Sequence, residues 1–158
     1  MKRTTLILSI SLFSFLLLIS YSFVLKKPTC ESDELYEQMI KKLTKFSLLK
    51  DYRIYLKSKK KSATPEIVYY PITLNRGMKY KFYGNQSPEF EGKLTISIYH
   101  AKGDKPDFLI ATNYRKETDK IYESIEFEAE STVNCLIAFS FKEGKEGCGV
   151  GISSFLKN

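Results

Sequence analysis

Gly92-Lys93-Leu94-Thr95-Ile96-Ser97-Ile98-Tyr99-His100 decides the fold class, because apolar residues fall at every second position and place Leu94, Ile96 and Ile98 on one face. A period of two belongs to a strand with one buried side. The same pattern recurs in both directions. Upstream, Tyr80 and Phe82 alternate with Lys79 and Lys81 until Gly84-Asn85, Ile67–Leu74 closes on the turn Asn75-Arg76-Gly77, and Tyr52–Leu56 is the first strand. Downstream lie Phe108–Asn113, after a Gly103-Asp104-Lys105-Pro106 turn, then Ile121–Glu128, Val133–Lys142 and Gly149–Leu156. The last two read as a terminal pair joined by Glu143-Gly144-Lys145-Glu146-Gly147. Eight runs at this spacing predict an antiparallel β-sandwich. Pro71 marks the second strand as an edge or a bulge. No second helical pattern alternates with the strands, which excludes βαβ folds.

Before residue 50 the period is that of a helix. Leu35, Tyr36, Met39, Ile40, Leu43 and Phe46 form one stripe, with Lys41, Lys42 and Lys45 between them. Ser32 is the expected cap, and Asp33 and Glu34 put negative charge in the first turn. The spacing predicts a four-turn amphipathic helix over 33–47 that packs on its own domain, with Ile40 and Leu43 in the core. The competing reading is a spacer or partner-binding helix.

Residues 1–25 read as an address. Lys2 and Arg3 precede an unbroken run of Leu, Ile, Phe and Ser from Leu6 to Ile19, and apolar residues continue to Leu25. Ser20 and Ser22 supply small residues for cleavage between Ser22 and Phe23. The rival is an uncleaved anchor helix over residues 6–25, long enough to span a bilayer. Either way the body is expected outside the cytoplasm, periplasmic or extracellular, free or tethered in the inner membrane. The organisation is thus 1–25 signal peptide or anchor, 26–50 linker and amphipathic helix, 51–158 sandwich.

Hydrophobic residues make up 43% of the chain and aromatics 14%, too many for a disordered polypeptide. The net charge of +7 is concentrated early. Residues 31–62 hold nine basic against five acidic side chains, whereas 63–158 hold twelve against thirteen. A basic stretch beside an apolar leader fits a membrane surface or an acidic partner, not nucleic acid. The Lys59–Lys61 run reads as a solvated loop or charged strand edge.

Catalytic chemistry is sparse. His100 is the only histidine and reads as a strand-end surface residue. Cys30, Cys135 and Cys148 allow one disulfide in an oxidising compartment, expected to involve Cys148. A Cys135–Cys148 bridge needs an asymmetric loop, Cys30–Cys148 would staple the start of the body to its last strand, and three reduced thiols are a further alternative. Gly147-Cys148-Gly149-Val150-Gly151 is not followed by a helix, as a dinucleotide fingerprint requires, and lacks the glycine two residues before Cys148 that a nucleophile elbow requires. Its glycines are expected to allow a bulge and close backbone approach at the start of the last strand. Asp104, Asp107 and Asp119 lack a calcium-loop register. Glu126 and Glu128 share a solvent-facing strand face, and Asn85-Gln86-Ser87 is a glycosylation sequon. No catalytic residue, metal ligand or cofactor is expected.

The runs Gly92–Tyr99, Leu109–Asn113, Ile125–Phe127 and Cys135–Phe139 resemble the bacterial pre-peptidase C-terminal-like domains. The ending Gly147–Ile152 is similar to small exported Bacteroidetes-type proteins. The resemblance implies a non-enzymatic, jelly-roll-like binding or accessory domain. The expected function is contact with a protein partner or cell-envelope component. The alternative is a carbohydrate- or calcium-binding module, motivated by Tyr69, Tyr70, Tyr80, Tyr83, Tyr99 and Tyr114.

Overall fold

The computed structural model describes residues 29–57 and 65–156. The leader, the Ser22/Phe23 cleavage point, the anchor reading of residues 6–25 and the Lys59–Lys61 run lie outside the described residues. Helix α1, Ser32–Ile40, is followed by β1 Phe46–Leu56, β2 Ile67–Leu74, β3 Lys79–Gln86, β4 Leu94–Lys102 and β5 Lys105–Thr112. Then come β6 Tyr114–Arg115, β7 Lys120–Ile121, β8 Ser124–Glu128, β9 Val133–Phe141 and β10 Gly147–Leu156.

The strands pair antiparallel as β1 with β10, β2 with β9, β3 with β8 and β4 with β5. That nesting is one long hairpin, its tip between β4 and β5, rolled into two four-stranded sheets of order β1-β10-β3-β8 and β2-β9-β4-β5. The connectivity is that of a jelly roll. The small β6–β7 hairpin sits within the β5–β8 connection. Asn113, buried at its base, ties it to β4, accepting from the Ile96 N–H at 2.7 Å and donating to Tyr122 O at 2.9 Å.

Each expected strand is present, and the differences have local causes. β1 begins six residues early, at Phe46. Its register slips between Leu48 and Lys50, so a bulge at Leu49 breaks the alternation and hides the first half of the strand from a period-two reading. The helix stops at Ile40, so Leu43 and Phe46 continue the 3.6-residue spacing outside it. Ser32 is not the cap: Glu31 holds that position with no side-chain hydrogen bond, and Asp33 instead pairs with Arg53 at 2.7 Å. β9 and β10 are not a hairpin. They lie in different sheets, and the turn at Lys142–Gly144, with Glu143 and Gly144 at positive φ, carries the chain from one sheet to the other. Pro71 lies in an edge strand, where its missing N–H costs no ladder bond.

The core fills the space between the sheets. Tyr52, Ile54, Tyr80, Phe82 and Ile125 project from one sheet against Leu94, Ile96, Ile98, Ile137 and Phe139 of the other. β10 is buried on both faces, and its sequence alternates to suit. Toward the core it presents Gly147, Gly149, Gly151 and Ser153; toward the outside, Cys148, Val150 and Ile152. The expected close approach is present and the expected bulge is not: a Cβ on Gly151 would lie 2.3 Å from a Phe139 ring carbon, and one on Gly147 2.3 Å from the Phe141 ring. α1 covers the outer residues of β10, packing Leu35 and Met39 against Val150, Ile152, Tyr83 and Phe90. Nine residues of helix are too few to persist alone, so this packing holds it.

Candidate functional site

The two outer sheet faces differ. On the β1-β10-β3-β8 sheet, α1 covers the outer residues of β10, and Arg53, Lys79, Lys81 and Glu126 share the remainder with exposed Leu48 and Tyr55. Glu126 receives Lys79 Nζ at 2.8 Å and Lys81 Nζ at 3.3 Å, and hydrogen bonding from Lys79, set against slight burial, holds its carboxyl below the usual range.

Among the described residues, no helix lies on the β2-β9-β4-β5 sheet. The inward positions of β2 are Val68, Tyr70, Ile72 and Leu74, so the outward ones are Ile67, Tyr69, Pro71 and Thr73. The register continues this face through Asn134, Leu136, Ala138 and Ser140 of β9 and Thr95, Ser97 and Tyr99 of β4. None of these side chains is charged at neutral pH. Side-chain hydrogen bonds knit the strands together: Thr95 with Ser140 at 2.6 Å, Ser97 donating to Thr112 at 3.1 Å, and Thr73 donating to the Asn134 amide oxygen at 2.9 Å. Tyr69 and Tyr99 meet edge to face, and burial, then the nearby Tyr99, raises the Tyr69 phenol.

β5 is an edge strand of this sheet, with Phe108 57%, Leu109 49% and Ile110 38% exposed. Leu109 pairs with Tyr99 and so extends the uncharged face. The next register pair is Ile98 with Ala111, which leaves Ile110 as a bulge and turns Ile110 and Ala111 together toward the gap between the sheets. There a groove of about 660 Å³ runs between β5 and the β8–β9 loop. Leu74, Ile110, Ala111, Phe127 and Val133 give it an apolar lining, and Glu128 and Glu130 lie at its edge.

Sequence-selected residues fall out as follows. His100 is half-buried rather than at the surface, stacked on Phe108 with ring centroids 4.9 Å apart, and lines the groove. Its Nδ1 is buried 3.6 Å from Asp107 Oδ2, too long for a hydrogen bond. Cys30 and Cys148 form a disulfide, and Cys135 is a buried free thiol whose pKa burial pushes up. Asp119 is held by Lys142 at 2.6 Å and the Tyr114 hydroxyl at 2.8 Å; these hydrogen bonds, Lys142 first, lower its carboxyl. Among the described residues, no group of three or more His, Cys, Asp or Glu is placed to hold a metal. Of the six tyrosines, Tyr80 and Tyr83 are buried, Tyr70 packs on the core and Tyr114 bonds Asp119, leaving Tyr69 and Tyr99 on the open face. Asn85 of the sequon donates to Gln38 at 3.3 Å, and Ser87 is buried. Sequence reasoning missed the groove, whose walls come from four separated segments; the apolar triplet Phe108-Leu109-Ile110 was its one local signal.

Fold and site together define a jelly-roll sandwich with one covered and one open sheet face. No family model matches the chain, the pre-peptidase C-terminal one included, and no curated protein matches it. Among solved structures it is similar to Aeromonas hydrophila PliG, a periplasmic lysozyme inhibitor of g-type lysozyme, with TM-score 0.44 and 12% identity over 71% of this chain and 86% of that one. Among the described residues, no helix is long and apolar enough to cross a membrane.

Proposed function

We propose that this chain is a non-catalytic exported domain, released or membrane-tethered by residues 6–25, that acts by contact with a protein partner through the open side of the β2-β9-β4-β5 sheet. The observation that carries the reading is the asymmetry of the sandwich. One outer face is partly covered by α1 and otherwise carries charged side chains, while the other is uncharged and continues into exposed Phe108, Leu109 and Ile110. Contiguous exposed apolar surface of this kind marks interaction sites. The Cys30–Cys148 disulfide supports export, since such bonds persist in oxidising compartments.

A photoreactive residue at Leu109 or Tyr69 in the producing cell tests the contact, with the same residue at Glu117 as control. Discrete protein adducts from 109 and 69 but not from 117 are expected. Adducts equal at all three positions, or none from 109 and 69, would overturn the docking face. An alkaline phosphatase fused after Asn158 should be active, and an inactive fusion would overturn export.

A further inference from the structure

We infer that the groove between β5 and the β8–β9 loop is a docking site for a cationic protein segment. The segment places one aliphatic or aromatic side chain in the groove and a neighbouring Lys or Arg against Glu128 and Glu130. The inference rests on the proposed protein-contact function and names the partner's chemistry.

Three observations carry it. The volume, about 660 Å³, accepts a large side chain, and its lining of Phe127, Val133, Ile110 and Ala111 is apolar. One wall is already fixed: the His100 and Phe108 rings stack at 7° between their planes, so an incoming side chain meets an ordered surface. The third is charge. Glu128 and Glu130 line the groove, and neither joins an ion pair among the described residues, whereas Glu126, one alternation away on the same strand, holds two lysines. Among the described residues, no Lys or Arg lines the groove. Two unpaired carboxylates beside apolar surface complement a partner with a cation next to an apolar side chain, and such rim charges set specificity and association rate. The bulge at Ile110 interrupts the regular edge of β5, which favours side-chain insertion over addition of a β-strand.

The test is a titration of the full folded chain with a short synthetic Lys-Leu-Lys-Phe-Lys peptide, followed by amide NMR, beside the Glu-Leu-Glu-Phe-Glu counterpart. Shifts confined to residues 108–111 and 127–133, with the acidic peptide at least tenfold weaker, are the expected result. Glu128→Lys with Glu130→Lys should weaken binding of the basic peptide at least tenfold and leave the unfolding midpoint close to that of the parent. Phe108→Asp, at an exposed position, should do the same. Shifts scattered over the surface, equal response to both peptides, or no response would overturn the site. So would concentration-dependent shifts at these residues without peptide, which would make a second copy the occupant. If adducts form from Leu109 and Tyr69 while the groove ignores the basic peptide, the groove inference falls and the protein-contact function stands.

Discussion

Gly151 shows how a missing side chain organises this sandwich. It faces the core between Tyr52 on β1 and Gly84 on β3, where the Phe139 ring from the opposite sheet occupies the space of a Cβ. Phe139 is itself 1% exposed and packed between Tyr52 and Tyr70, so its ring has little room to retreat. Ser153, two residues on, also faces the core, and its hydroxyl lies 3.3 Å from the Tyr52 phenol, whose pKa burial raises. Gly151→Ala should therefore destabilise the domain by about 1–3 kcal/mol through overpacking. Urea unfolding measures it, and Phe139→Leu in the same chain should recover part of the loss. Additive losses in that double-mutant cycle would show that the two residues do not compete for space.

At the scale of elements, α1 is the lid of the β10 strand. Its Met39 is 2% exposed against Val150 and Ile152, while Ile40 and Leu43 are partly buried at the margin of the same cluster. The core position of the helix is therefore Met39, with Leu35, rather than Ile40 and Leu43. Polar ties frame the packing: Arg53 bonds Asp33 and stacks over Tyr36, and Lys42 pairs with Glu123. These pairs are exposed and each contributes little. Met39→Asp should lower stability by about 2–4 kcal/mol, because it places an unpaired charge in a packed site. Thermal melting of the intact chain reads the effect. An unchanged transition would mean that α1 is a detachable spacer. The helix was legible in the sequence because its stripe is local. Its end was not, because Leu43 keeps the helical spacing while leaving the helix and still packs at the edge of the cluster.

Across the whole molecule, the Cys30–Cys148 bond joins residues 118 positions apart and fixes the start of the described chain to the strand at the centre of one sheet. Closing so long a loop restricts the unfolded chain and stabilises the fold by up to about 5 kcal/mol in the chain-entropy account. Denatured, unreduced protein should show one reactive thiol, Cys135, and three after reduction. Cys30→Ser should lower the unfolding free energy by about 2–5 kcal/mol. Three free thiols before reduction would remove the bond and with it the support it lends to export. The first and last strands, β1 and β10, likewise pair within one sheet.

The sequence by itself determined most of the elements: period-two runs gave the strands, a 3.6-residue stripe gave the helix, and Pro71 marked an edge or a bulge, because each rests on residues within one short segment. Tertiary structure alone decided which strands pair. β9 and β10 are neighbours in sequence, but β10 is buried on both faces, its glycines receiving Phe139 and Phe141 and its Cys148, Val150 and Ile152 lying under α1. Only a central place between β1 and β3 satisfies both faces, so β10 leaves β9 to the other sheet. The groove arose in the same way. Leu74, His100, Phe108 and Phe127–Val133 meet only once the long hairpin has rolled up and brought the edge strands β5 and β8 to the same side of the sandwich.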